Sequence, residues 1–153
     1  MEIKWKVLAF DELTLHELYA SLQLRSAVFV VEQNCVFQDM DGKDHLAYHV
    51  LGFSDDNRLL AYSRLFDAGV YFDGHLAIGR VIAHPSLRGK GLGKELMKRS
   101  IAAVRQRFGD LPIKLGAQKQ HTKFYESLGF QSVGKDFLED GIPHALMVLP
   151  KAK

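Results

Sequence analysis

The chemistry is densest in the segment Val81-Ile82-Ala83-His84-Pro85-Ser86-Leu87-Arg88-Gly89-Lys90-Gly91-Leu92-Gly93-Lys94. An apolar, strand-like stretch enters a turn with glycine at alternate positions, and a helical pattern starts at once. Alternate glycines let the main chain come close to a ligand and adopt dihedral angles that other residues resist. The opening turn of a helix presents unpaired N–H groups and the positive end of its dipole. Together these features form a cradle for an anion, phosphate above all, and Arg88, Lys90 and Lys94 ring it with full charges. Two common phosphate signatures do not fit. A Walker A loop needs glycine five residues before its Gly-Lys pair and Ser or Thr after it. Gly93-Lys94 has Arg88 and Glu95 at those places. The dinucleotide fingerprint spaces its glycines two and then three apart, whereas Gly89, Gly91 and Gly93 are two and two apart. A glycine-rich connection that binds nothing is the plain alternative, and the clustered cations argue against it.

Charge divides along the chain in the same sense. The net charge is only +2, yet residues 1–79 hold six Lys/Arg against twelve Asp/Glu, and residues 80–153 hold fourteen against six. Arg80, Arg88, Lys90, Lys94, Lys98, Arg99, Arg105 and Arg107 crowd one stretch with a single acid, Glu95. A polyanion suits that stretch, and a cation suits the acidic half. The bland reading is a solvated helix face.

The remaining composition narrows the class. With 153 residues, 47% hydrophobic and 25% charged, the chain reads as one globular domain over 1–150. The single cysteine, Cys35, excludes an intrachain disulfide and a Cys-rich metal site. His45, His49, His75 and His84 lack metal-ligand spacing, so no metal is expected. The longest apolar runs, Ala27–Val31 and Ala145–Leu149, fall far short of the roughly 20 residues that span a bilayer. The first residues lack the apolar core of a secretion signal, so a cytoplasmic protein is expected.

Several elements must position the glycine turn. A strand is predicted at Ile3–Ala9, and Leu15, Leu18, Leu22 and Phe29 mark a helix from about Thr14 into the late twenties. Residues 33–44 read as an exposed loop. Three strands follow at His45–Phe53, Arg58–Phe66 and Leu76–Ala83. Leu92, Leu96, Ile101, Val104 and Phe108 mark the helix after the glycine turn. Pro112–Ala117 reads as a strand and Lys119–Leu128 as a helix stopped by Gly129. Strands at Phe130–Leu138 and His144–Leu149 close the chain around a turn at 139–143. The order β-α-β-β-β-α-β-α-β-β is a mixed α+β arrangement.

The Arg-x-x-Gly-x-Gly pattern of Arg88, Gly91 and Gly93 resembles the acyl-CoA pyrophosphate loop of the GNAT superfamily of N-acetyltransferases. Downstream, Phe124-Tyr125-Glu126-Ser127-Leu128-Gly129-Phe130 resembles that family's late helix-to-strand motif. The strand order agrees, so the resemblance covers nearly the whole chain. More narrowly, Phe29-Val30-Val31-Glu32-Gln33, the Asp41-Gly42 loop and Leu138-Glu139-Asp140-Gly141-Ile142-Pro143-His144 are similar to the ElaA branch.

The resemblance implies an α+β GNAT fold, a mixed central sheet of about six to seven strands splayed around acetyl-CoA with flanking helices. It implies that the backbone of Val81, Ile82 and Ala83 pairs with the pantetheine arm. The amides of Arg88, Gly89, Lys90, Gly91, Leu92 and Gly93 would hold the pyrophosphate. Gln118 stands where many members carry a cofactor-bonding Asn. Tyr125 matches the tyrosine that protonates the departing thiolate, and a thiolate of pKa near 8.5 gains from a hydroxyl donor in reach. A strand amide, expected from Ile82, would polarise the thioester carbonyl. Many members carry a glutamate base where this chain has Gly79. Glu32 is the first substitute candidate, with His144, Glu139 and His49 behind it, and a mechanism without a dedicated base is also open. Glu32, Asp39, Asp41 and Asp44 suggest a cationic amine acceptor. The function implied is direct acetyl transfer from acetyl-CoA to a primary amine, with no nucleic acid and no membrane as partner. A non-catalytic acyl-CoA sensor, a nucleic-acid module using residues 80–107, and an acyltransferase for longer chains are the competing readings.

Overall fold

The computed structural model describes residues 2–153. Seven strands form one sheet in the order β1-β2-β3-β4-β5-β7-β6. They are β1 (Lys4–Ala9), β2 (Tyr48–Phe53), β3 (Leu59–Phe66), β4 (Leu76–Ala83), β5 (Ile113–Gln118), β6 (Gln131–Glu139) and β7 (Ile142–Leu149). Neighbouring strands are antiparallel except β4 and β5, which are parallel. The expected α+β sheet is therefore the one observed, at seven strands.

The parallel pair is where the sheet opens. β4 and β5 are in register only at Leu76↔Ile113 and Ala77↔Lys114, and beyond those residues the strands diverge. β4 also carries one extra residue against β3. Arg64 opposes Gly79 while Tyr62 opposes Ile82, and Arg80 absorbs the bulge at φ 50°. A bulge bends its strand and leaves ladder groups unpaired, which is the usual way a sheet re-aims side chains beside a site.

Helices cover both faces. On one face lies α2 (Leu92–Phe108), whose Leu92, Leu96, Met97 and Val104 pack into one core with Ile78, Ile113, Leu115 and Met147. Leu96 and Met97 are fully buried. Burial of each such side chain is worth about 1.5–3 kcal/mol, so this seam holds β4 and β5 to a common layer despite their divergence. On the other face lies α1 (Leu15–Arg25), with Leu24 and Val28 against Leu51, Tyr62 and Ile82. Its start is set locally: Thr14 Oγ1 accepts from Glu17 N at 3.1 Å and Glu17 Oε1 accepts from Thr14 N at 2.9 Å, a capping box. The helical path continues as a π-helix at Ser26–Glu32. The longer π repeat rotates successive side chains away from the α1 face.

Residues 33–44 are anything but a free acidic loop. Buried Arg25 donates to Asp39 at 2.9 Å and to Asp44 at 2.8 Å. Buried Arg64 donates to both oxygens of Asp41, and Arg80 donates to Asp39 at 2.7 Å. Burial works to raise the Asp41 carboxyl, but hydrogen bonds from Arg64 and Tyr71 outweigh it and hold the group well below the usual carboxylate range. Asp44 is held low in the same way by Arg25 and Arg64. The polar composition that reads as solvated loop is instead spent on a buried three-arginine, three-aspartate network, with partners far apart in sequence.

The late elements differ from expectation in extent. The predicted helix at 119–128 is a 3₁₀ turn, Lys119–His121, followed by the short helix α3 (Thr122–Glu126). Gly129 ends that segment at φ 100°. The β6–β7 turn is tighter than predicted, because Asp140 and Gly141 both take positive φ, 51° and 79°, as a two-residue hairpin requires. Pro143 therefore lies inside β7, paired with Leu138.

Candidate active site

The glycine turn enters α2 with Gly89 at φ 81° and Gly91, the N-cap residue, at φ 83°. A Cβ at either position would meet nothing within 4 Å, so the demand for glycine is one of backbone conformation and of open space above the turn. Arg88 N and Lys90 N make long turn bonds to Pro85 O (3.4 Å) and Leu87 O (3.3 Å). Among the described residues, the amides of Gly89, Gly91, Leu92, Gly93 and Lys94 find no acceptor in the chain. Five free donors at a helix N-terminus can receive an anion; of the expected Arg88–Gly93 set, Arg88 and Lys90 are engaged in turn bonds, and Lys94 joins the free amides. Gly93 faces the Phe124 ring, 3.7 Å from where its Cβ would stand.

Electrostatics at the turn centre on Arg88. Both of its terminal nitrogens donate to the Glu32 carboxylate, Nη2 to Oε1 at 3.0 Å and Nη1 to Oε2. The Arg88 bonds hold the Glu32 carboxyl below its ordinary value, and the guanidinium is raised in return. Burial first, and then the charge of Arg88, push His121 down; His84 is pushed down by burial, then by Arg58 and Arg88. Glu32, the leading base candidate, is thus brought to the site, but as the partner of the phosphate-loop arginine.

The gap between β4 and β5 begins where the turn's strand ends. His84 N donates to Leu60 O at 2.7 Å, and Tyr62 opposes Ile82. Strand alternation then turns the Ile82 amide toward β3 and the polar groups of Val81 and Ala83 toward the gap. Ile82 instead sends its side chain into the α1 core. The Ile82 amide, expected to polarise the thioester carbonyl, therefore lies on the β3 edge of the strand, away from the gap. Gln118, the last residue of β5, donates to Gln33 Oε1 at 3.1 Å and accepts from Gln120 Nε2 at 2.9 Å, which ties the π-helix end to the gap's mouth.

Tyr125 lies on α3, its ring edge-on to Phe124 (5.1 Å) and Phe130 (5.8 Å). Burial pushes its phenol up to about 12, so it holds its proton at neutral pH. On the opposite face, Gly79 leaves open space, with nothing within 4 Å of where a Cβ would stand. His49 is occupied on both ring nitrogens, by Tyr62 Oη at 2.6 Å and Asp44 O at 2.9 Å, and burial pushes its pKa down. His144 and Glu139 stand together on β7 and β6, with Nε2 and Oε2 3.6 Å apart.

Residues 19–151 match the family model described as acetyltransferase (GNAT) domain. The chain belongs to the GNAT acetyltransferase family. Protein ElaA of Escherichia coli K12 is 44% identical over 144 residues, 93% of each chain. The crystal structure of E. coli ElaA superposes with a TM-score of 0.88 at 43% identity, over 96% of this chain and 99% of that one. An acyl-CoA N-acyltransferase from Pseudomonas aeruginosa superposes at 0.89 with 42% identity, over the same shares. The ElaA-like GNAT fold read from two motifs is the one found, and the family's use of an acyl-CoA with an acceptor matches the splayed strands and the amide cradle.

Within this GNAT site, the acids that suggest a cationic acceptor are each paired with an arginine. Glu32 faces Arg88, and Asp39, Asp41 and Asp44 face Arg25, Arg64 and Arg80. Several of the eight cations of 80–107 are engaged as well: Arg80 with Asp39, Arg105 with Asp110, Arg99 over Trp5 and Arg107 over Tyr48. Pattern reading missed the contact of Gln33 with Gln118 and that of Phe137 with Gly116, which no local spacing encodes.

Proposed function

We propose that the chain is one domain, residues 1–150, that moves an acetyl group from acetyl-CoA directly to a primary amine. The observation that carries this reading is the pairing of five free amides at Gly89–Lys94 with a gap that opens between β4 and β5 immediately beside them. A diphosphate on the amides and an extended pantetheine in the gap would deliver the thioester to the bend of β4.

In that arrangement the gap-facing groups of Val81 and Ala83 bond the pantetheine amides, and one of their N–H groups polarises the thioester carbonyl. Donors fixed before the reaction stabilise the developing oxyanion without reorganising. Tyr125 donates to the leaving sulfur. Its pKa lies above the ordinary thiol value near 8.5, so it gives up its proton only as the attacking nitrogen supplies one in return. Glu32 restrains Arg88, and because the guanidinium occupies its carboxylate and lowers its pKa, it is a weak base for an ammonium proton.

Release of free thiol from acetyl-CoA, measured against a panel of amines, polyamines and peptide N-termini, tests the reading. Amine-dependent release supports it. CoA binding without transfer to any panel member would favour the sensor, and nucleic-acid binding that ignores CoA and survives Arg88→Ala would favour the basic-module reading.

A further inference from the structure

Acetyl transfer needs a neutral nucleophile, and an alkylammonium of pKa near 10.4 has no lone pair to offer at pH 7. The α2 face of the gap is filled by packed core, including Leu92, Leu96 and Phe130, so the acceptor must come from the opposite face. That face is open above Gly79 on β4. On β5 it is lined by Gly116 and Gln118, and the Phe137 ring lies over Gly116, 3.6 Å from where a Cβ would stand.

His144 belongs to this wall. It opposes Gln118 in register, is 7% exposed, and stacks on Phe137 with centroids 5.6 Å apart and planes 29° apart. Its Nδ1 is 2.7 Å from Ile142 O. A carbonyl only accepts, so Nδ1 carries the hydrogen, and in the neutral imidazole that leaves Nε2 bare. Glu139 Oε2 stands 3.6 Å from that bare nitrogen. A proton arriving at Nε2 would produce an imidazolium with a carbonyl at one nitrogen and a carboxylate near the other.

We infer that His144 Nε2 takes the proton from the incoming ammonium, with Glu139 holding the imidazolium that results. The inference rests on the transferase reading and deepens it by naming the base. The step balances. The ammonium gives one proton to Nε2; its nitrogen then bonds the thioester carbon, and the C–S bond breaks with its electron pair on sulfur. Sulfur takes the Tyr125 proton, and the nitrogen's second proton restores that phenol. His144 returns its own proton to solvent past the exposed Glu139. Of the other acids on the closing hairpin, Asp136 pairs with Lys119 at 2.8 Å, and Asp140, in the turn, receives Cys35 Sγ on its backbone carbonyl while its carboxylate has no partner among the described residues. His121 follows that lysine on the same turn and is pushed down by burial and by Arg88.

His144→Asn keeps a donor for Ile142 O and removes Nε2, so it separates the proton role from the fold. With acetyl-CoA and an amine the wild type uses, kcat/KM at pH 7 is expected to fall about 100-fold or more. The deficit should close as pH rises toward the amine's own pKa, and CoA affinity by calorimetry should be unchanged. Glu139→Gln should lower kcat/KM by a smaller factor than His144→Asn, with CoA affinity unchanged, because the carboxylate 3.6 Å from Nε2 holds the imidazolium without itself taking the proton. Equal profiles for wild type and His144→Asn, or a deficit constant across pH, would overturn this assignment while leaving the transferase reading intact. An inactive wild type would remove both. Independently of turnover, ¹⁵N spectra of the His144 ring should show hydrogen on Nδ1 and none on Nε2, and the reverse tautomer would refute the assignment.

Discussion

Replacing Glu32 by glutamine should tighten CoA binding. In the structure Arg88 spends both terminal nitrogens on the Glu32 carboxylate, so a diphosphate must compete with that carboxylate for the guanidinium. The side chains are 46% and 41% exposed, which places the pair among solvent-screened bridges worth about 0.2–1 kcal/mol. Freed of this competition, Arg88 should improve CoA affinity by about 1.4- to 5-fold. Calorimetric titration of CoA into wild type and Glu32→Gln at low salt measures the difference directly. At about 1 M salt, where the screening length falls to about 3 Å, the two proteins should converge. They should also converge as pH falls through the lowered pKa of Glu32, since the protonated carboxyl no longer holds Arg88. Equal or weaker binding by the variant at low salt would refute the competition. Loss of acetyl transfer with CoA affinity unchanged would return Glu32 to the role of base.

Tyr125→Phe keeps the ring contacts with Phe124 and Phe130, so melting and CoA affinity should hold while kcat falls about 100-fold or more. Gly91→Ala meets no atom but must hold φ 83°, which should lower stability by about 1–2 kcal/mol in denaturant titration. Arg25→Leu strips a partner from Asp39 and Asp44 in the buried network and should cost about 3–5 kcal/mol by the same measurement. Asp41 and Asp44 are held low in the folded protein. Their contribution is therefore complete above the ordinary carboxylate range and drains away as pH falls through and below it. Thermal midpoints measured from pH 7 downward should drop across that window in the wild type.

The sheet and its two covering layers were readable because strand alternation and helical spacing are local. The glycine turn was readable for the same reason: Gly89 and Gly91 declare a backbone conformation that few other residues tolerate. The network of Arg25, Arg64 and Arg80 was not, since its partners lie 14 to 41 residues away and aspartates in a loop look alike whether solvated or buried. The pairing of Glu32 with Arg88 is invisible to local spacing for the same reason, since the two stand 56 residues apart. Ile82 was chosen for the carbonyl because the order of residues along a strand does not say which edge each amide faces. The His84–Leu60 bond settles that edge. His144 was placed behind Glu32 because its stacking on Phe137 and its contact with Glu139 both depend on the register of the closing hairpin.

The central claim is that main-chain donors at the start of α2 receive the diphosphate of an acyl carrier. Backbone ¹H–¹⁵N spectra recorded while acetyl-CoA is added measure those donors one at a time. The largest shifts should fall on Gly89, Gly91, Leu92, Gly93 and Lys94, and Arg88→Ala should weaken the whole set together. Saturable shifts located elsewhere, with these five amides unmoved, would contradict the account.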